Sequence, residues 1–466
     1  MLRSRRLAGP LLATALLCTP AASADEGPQL ATRTRTLTLP EAIAFARVHH
    51  PAIRAGLARV QAQKADAYVP RAQWLPTVGV TAQLFGGTAN NSTGSYATQS
   101  SLDIPRIGGT RSVSQGTLRP YPSTLVAAGV TQELFDFGRI AAEAAAEDAR
   151  VDAESQRARE VALDVTFSVE EAYFSVFAAK EVLKASQDAY DRALVHRDLA
   201  KAGVGSGLRS PIELTRAEAD LGRFDIGRLR ARGGLVLAQT VLAAAVGAPD
   251  PALDVAEAAP ARADMPALTD ALDAASARDP RLLAAIAALR AEEQRTTAIG
   301  AQLRPRPFLD GHDLRTRRRG AAFGQRRAAA GAGWLPNVPN WDVGVVLGWP
   351  IFEGTIQARR DASRAREEVR RDEVAGVQQE QVAAIRRAYA AVDVARAVLP
   401  GLERAVEAAH ANYAQADARF RAGLGTSVEL ADAEALSTEA EIQVALGQFE
   451  IARARAAFGR AVAEGS

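Results

Sequence analysis

Lys201-Ala202-Gly203-Val204-Gly205, followed by Pro211-Ile212-Glu213-Leu214, is matched far down the chain by Arg421-Ala422-Gly423-Leu424-Gly425, followed by Ser427-Val428-Glu429-Leu430. In each copy a long Ala-rich helical run breaks at a basic-Ala-Gly-aliphatic-Gly turn, and a second helix starts on aliphatic-Glu-Leu. Two such turns at matching places mark the ends of two helical hairpins in a duplicated chain.

The duplication extends outward from the turns. Leu39-Pro40-Glu41-Ala42-Ile43 and then His50-Pro51 recur as Leu268-Thr269-Asp270-Ala271-Leu272 and then Asp279-Pro280, and the spacing still holds at Pro76 and Pro305. Each copy opens with a short helix, an X-Pro break, a helix of some 20 residues by our reading, and a proline stop. The period then changes to alternation. Val78, Val80, Ala82 and Leu84 share one face of a strand over 77–85, and Val126, Ala128, Val130 and Leu134 share one over 125–134, with Gln132 as an exception. The clearest strand is 341–351, with Trp341, Val343, Val345, Leu347 and Trp349 on its outer face; a partner strand near 308–314 is expected from the repeat. The two tryptophans stand roughly 26 Å apart along a strand, close to the roughly 25 Å apolar band between the aromatic girdles of an outer-membrane barrel. A two-faced strand of a soluble sandwich fits the same pattern.

One polar loop separates the strands of each pair. Residues 86–122 are rich in Gly, Ser, Thr and Asn; residues 310–340 carry Arg315, Arg317, Arg318, Arg319, Arg326 and Arg327, a solvated charge run or a set of partners for lipid phosphates. Helices over 138–202 and 355–422 follow, each roughly 97 Å or longer if unbroken, with apolar residues at spacings of three, four and seven. Pro400-Gly401 is expected to kink or interrupt the second. Return helices span about 212–246 and 428–463, and 249–266 links the copies. The domain division is thus 1–24, an export signal; 25–248, the first repeat; 249–266, the linker; and 267–466, the second repeat.

Composition narrows the function. Arg3, Arg5 and Arg6, the apolar run from Leu7 to Leu17 and Ala22-Ser23-Ala24 form a secretory signal with cleavage after Ala24. Removing those arginines from the 56 basic residues leaves them one short of the 54 acidic ones, a balance that does not favour nucleic acid. The one cysteine, Cys18, falls inside the signal, so the mature chain is expected to have no disulfide or thiolate metal site. No continuous apolar run of helix-spanning length follows the signal, so a membrane crossing would use strands. His49, His50, His196, His312 and His410 have no metal-ligand spacing, and Gly203-x-Gly205-x-Gly207 lacks the strand and Lys-Ser/Thr of a phosphate loop. Neither catalytic residues nor cofactors are expected. Four strands per chain are too few to close a barrel, and open edges cannot face lipid, so other subunits must complete it; three chains supply twelve strands.

The doubled Leu-x-x-Ala-aliphatic…Pro helix starts, Trp74-Leu75-Pro76, Leu134-Phe135-Asp136 with Ile351-Phe352-Glu353, and the two Ala-Gly-aliphatic-Gly turns, taken in order, resemble the TolC-like outer-membrane efflux proteins over nearly the whole mature chain. The resemblance implies a mostly α fold with a small antiparallel β part. It implies a homotrimer whose α-helical periplasmic barrel joins a 12-stranded outer-membrane β-barrel, four strands per chain. The function implied is a passive exit duct serving a periplasmic adaptor (membrane fusion) protein and an inner-membrane transporter of the RND, ABC or MFS class. On this chain Gly203, Val204, Gly205, Gly423, Leu424, Gly425 and Thr426 become the adaptor contacts, and Trp341 and Trp349 the aromatic girdle against outer-membrane lipid. Glu429 and Asp432, three apart on one helical face, with Glu213 and the nearby Glu218 in the first copy, are candidates for an acidic periplasmic gate or for ordinary solvated carboxylates. Two other classes stay open, a periplasmic adaptor and a structural coiled-coil protein of the envelope.

Overall fold

The computed structural model describes residues 35–87, 98–99, 102–103, 121–248, 253–256, 265–318 and 338–464. The expected signal, most of both inter-strand loops and most of the linker lie outside them.

The first copy runs β1 (Arg35–Leu37), α1 (Leu39–His49), α2 (Pro51–Asp66), α3 (Tyr68–Ala72), β2 (Thr77–Gly87), β3 (Thr98–Gln99), β4 (Leu102–Asp103), β5 (Tyr121–Glu133), α4 (Arg139–Gly205) and α5 (Pro211–Val246). β6 (Leu253–Val255) leads to the second copy: α6 (Leu268–Arg278), α7 (Pro280–Ala301), β7 (Arg306–Arg318), β8 (Val338–Gly348), α8 (Gly354–Arg421) and α9 (Ser427–Ala461). Local chemistry sets these boundaries. Glu41 reaches back to accept the Thr38 N–H at 2.9 Å and so satisfies an orphan donor at the start of α1. Pro51 pushes His50 into extended backbone and then takes the first position of α2; Pro280 does the same to Asp279, whose carboxylate accepts the Arg281 N–H at 2.8 Å. At the start of α4 the buried Asp136 carboxylate accepts the N–H groups of Gly138 and Ile140.

β2, β5, β7 and β8 form one antiparallel sheet in that order, so each copy supplies a hairpin and β5–β7 joins them. β2 and β8 are its two edges. The sheet is apolar on the outside: Val78 and Val80 on β2, and Trp341, Val343, Val345 and Leu347 on β8, are exposed, while Thr81 and Asp310 are buried on the other face. The Thr131 hydroxyl donates to Asp310 at 3.1 Å there. A soluble sandwich has the reverse polarity.

The helical body packs α4 against α5, α8 against α9, and joins the hairpins through α4–α9, with α2 on α4 and α7 between α4 and α8. Alanines dominate the buried positions of α4, which lets the axes approach closely. The main core gathers Leu37, Ile53, Val165, Val169, Tyr173, Leu242 and Val255; a second one holds Ala275, Ile385, Val392 and Phe458.

Several expectations change. The linker contains β6, which pairs in parallel with β1 and is tied to α4 by Tyr173 Oη and Lys180 Nζ, donating to the carbonyls of Ala256 and Val255. The first loop contains the short β3–β4 hairpin. β7 runs to Arg318, so Arg315, Arg317 and Arg318 belong to a strand; Arg319, Arg326 and Arg327 lie outside the described residues. α8 passes through Pro400 unbroken. Finally, α5 is long and apolar enough to cross a membrane, against the sequence expectation, yet only 22% of its apolar window is buried within the chain.

Leu242 is fully buried in the main core, so Leu242→Ala should cost about 2–5 kcal/mol. A lower thermal midpoint of the full-length protein in detergent is expected; an unchanged one would contradict this packing.

Candidate functional site

The two hairpin ends have the same construction in a different register from the one the sequence suggested. α4 does not stop at Gly203; it continues through Val204 to Gly205, and the reversal occupies 206–210. In the first turn the N–H groups of Leu208 and Gly207 donate to the carbonyls of Gly203 and Val204, at 3.0 and 3.1 Å. In the second the N–H groups of Leu424 and Gly423 donate to Arg419 and Phe420, at 2.9 and 3.0 Å. Both are Schellman closures with the glycine in left-handed conformation, Gly207 at φ 73° and Gly423 at φ 74°. The equivalent of Gly423 is therefore Gly207. Residues 206–210 line up with 422–426, because Gly207 stands to Glu213 and Glu218 as Gly423 stands to Glu429 and Glu434. That spacing was the available signal, and the more conspicuous Ala-Gly-Val-Gly obscured it.

This register turns up two residues that the sequence reading missed, Leu208 and Arg209. Leu208 and Leu424 occupy equivalent points after the helix ends and are 85% and 76% exposed, whereas Val204 lies within the last turn of α4. Arg209 takes the place that Gly425 holds in the other turn. Its guanidinium lies 3.9 Å from the Phe420 ring centroid, donates to the Phe420 carbonyl at 2.7 Å and pairs with Glu213 at 2.9 Å. A Cβ on Gly203 would lie 2.7 Å from Arg209 Cδ, so that glycine makes room for the side chain that joins the two ends.

The candidate gate carboxylates divide. Glu213 is committed to Arg209. Glu429 is exposed: its N–H donates to Thr426 Oγ1 at 3.2 Å, and its carboxylate stands 3.8 Å from the Arg419 guanidinium. Asp432 is exposed one turn on and faces Asp220 of α5; burial raises the Asp220 pKa, Arg223 lowers it and the Asp432 charge raises it again. Glu218 is exposed. Glu429 and Asp432 are thus the sequence-selected pair on one exposed acidic face, with Arg419 beside Glu429.

At the other pole, Trp341 is 75% exposed on β8 and Trp349 is 58% exposed one residue beyond it. The strand is 338–348, not 341–351, because pairing with β7 begins at Val338 and ends at Gly348.

A model of the family described as Outer membrane efflux protein matches residues 42–248 and 271–464. Protein CyaE of Bordetella pertussis is 29% identical over 416 residues, spanning 87% of this chain and 80% of CyaE. Among solved structures, the outer-membrane channel OprN has a TM-score of 0.69 at 21% identity, over 92% of this chain and 90% of its own. CusC has a TM-score of 0.71 at 16% identity, over 91% and 92%. The Campylobacter jejuni CmeC outer membrane channel has a TM-score of 0.71 at 14% identity, over 91% and 85%. At these identities the structures share the fold.

The turn register has a direct test. Gly207→Ala should cost about 1 kcal/mol, since an L side chain resists its left-handed backbone, while Gly205→Ala, helical and with open space at Cβ, should be neutral or stabilising. Thermal midpoints of the two variants check this, and the opposite order would restore the turn to Gly205.

Proposed function

The chain belongs to the outer membrane efflux protein family and is an outer-membrane exit duct for efflux or secretion, and from that premise we propose how it is assembled and what each end does. Three copies join β2 of one chain to β8 of the next, which makes a 12-stranded barrel with Val78, Val80, Val343, Val345 and Leu347 against lipid and Trp341 and Trp349 in the girdles. The observation that carries this reading is the four-stranded sheet with an apolar outer face and two open edges, which lipid does not tolerate unless the edges pair. The apolar face of α5, with Ile226, Leu229, Val236, Leu237 and Val241 exposed, is then covered by the neighbouring subunit in a helical periplasmic tunnel.

Substrates pass through this duct without chemistry by the chain itself. The hairpin ends form the periplasmic entrance and dock a membrane fusion adaptor, which connects to an RND, ABC or MFS transporter in the inner membrane. The contacts are Leu208 and Leu424, flanked by Gly203, Val204, Gly205, Gly423, Gly425 and Thr426. Glu429 and Asp432, repeated three times, place six carboxylates near the axis and favour cations at the entrance. Residues 1–24 are the export signal, removed after Ala24, and 25–248 and 267–466 are the two repeats of one intertwined protomer joined by 249–266.

In planar bilayers the full-length protein should give discrete conductance steps, and Glu429→Ala with Asp432→Ala should reduce cation selectivity and weaken block by divalent cations. An absence of conductance would refute the duct, and unchanged selectivity would refute the acidic gate. Leu208→Asp with Leu424→Asp should abolish retention of a membrane fusion adaptor while conductance persists; full retention would remove the tips from the docking site.

A further inference from the structure

Arg216, Arg223 and Arg230 recur at every seventh position of α5, and all three are exposed. Seven residues make two helical turns, so the three guanidinium groups share one face and stand roughly 10 Å apart. Among the described residues Arg216 and Arg230 have no ion-pair partner; Arg223 stands 3.4 Å from Asp220 and 5.0 Å from the Phe224 ring centroid. Gly227 and Gly234 lie beside the arginines on the same side of the helix, and nothing in the chain comes within 4 Å of where a Cβ would stand on either. Glycine is unfavourable inside a helix, and no packing within this chain requires these two.

The other faces of α5 show which way this one points. About half a turn round, Arg232 and Val236 join Lys180 and Lys184 of α4 in lining a cavity of about 560 Å³. Lys180 also holds β6 on that side, through the Val255 carbonyl at 3.0 Å and Asp254 at 2.7 Å. A layer stacked inside a duct would plug it, so the side carrying β6 is the outside and the arginines face inward. Asp220, beside Arg223, faces Asp432 of the proposed entrance. The register of the two turns adds an inversion of sign. Arg216 and Arg223 stand to Gly207 as Asp432 and Glu439 stand to Gly423, and all four are exposed.

We propose that the face of α5 bearing Arg216, Arg223 and Arg230 is a track inside the duct for an extended acidic polypeptide. The track rests on the reading of the chain as a duct. Three residues of extended chain also span roughly 10 Å, so a carboxylate on every third residue of the cargo meets each arginine in turn. Exposed guanidinium–carboxylate pairs are individually weak, which suits a chain that must move on. Gly227 and Gly234 leave the lane beside the arginines clear of side chains. Glu429 and Asp432 by themselves repel an acidic chain at the entrance; the arginines on the other inward-facing helix supply the opposite sign.

The test adds poly-L-glutamate on the hairpin side of the full-length protein in planar bilayers, where it should block the conductance. Arg216→Gln with Arg223→Gln and Arg230→Gln should raise the half-blocking concentration by about fivefold or more. Lys184→Gln with Arg232→Gln, which removes exposed cations from the other side of the wall, should leave it unchanged. Gly227→Leu, which keeps every charge and fills the lane, should also weaken the block and serves if the triple variant does not fold. A parent that conducts without block overturns the track, as does a block that the triple variant shares in full or that both charge variants lose equally. Equal block by free glutamate at the same residue concentration overturns it too, because a track needs an extended ligand. Each of these results leaves the duct standing, whereas a parent without conductance overturns the duct and the track together.

Discussion

The backbone edges of β2 and β8 are what the rest of the structure depends on. Each non-proline residue on a sheet edge presents an N–H or C=O that must find a partner, and in hydrocarbon there is no water to supply one. Here the edges belong to a sheet whose outer face is valine, leucine and tryptophan and whose inner face buries Thr81 and Asp310. Such a sheet is stable where its outside is dry and its edges are paired. Its strand count and polarity are what support the proposed pairing with further copies of the same chain.

The helical body obeys a related constraint. Two helices of 67 and 68 residues leave the sheet and two of 36 and 35 residues return along them, and alanines along α4 keep the spacing small. A helix wall of this kind has two lateral faces with no partner in the same chain. The exposed apolar residues of α5 lie on one of them. The α5 helix satisfies the length and composition of a membrane span for that reason, and covering by a neighbour accounts for its surface as well as lipid would. The hairpin ends carry the proposed contact and gate residues because there the backbone turns and side chains leave the wall: two leucines on matched Schellman turns, Arg209 joining the two ends, and Glu429 with Asp432.

Much of this was legible in the sequence. Repetition revealed the duplicated plan, X-Pro breaks located the helix starts, and alternation exposed the strand pairs and the outer face of β8. What stayed hidden depended on tertiary context. Glycines 203 and 205 look like a turn, yet packing carries the helix through both of them, and the glycine that matters, Gly207, is the one at positive φ. Pro400 looked like a break and sits inside α8. Three residues of β6 were invisible because a parallel pair with β1 joins segments far apart in sequence. Glu434 carries no mark in the sequence that sets it apart from other charges on an Ala-rich helix; only the approach of α4 and α8 buries it beside Arg192, His196 and Tyr413.

The pairing of β2 with β8 across chains is the central claim, and intersubunit disulfides test it most directly. Within one chain β5 and β7 separate these strands, which puts them roughly 14 Å apart, beyond the roughly 7 Å Cα limit for a disulfide. Single cysteines along 77–82 combined with single cysteines along 343–348 should give, on mild oxidation in outer-membrane fractions, a register-dependent ladder that ends at three chains. Monomers only, at every combination, would contradict the account.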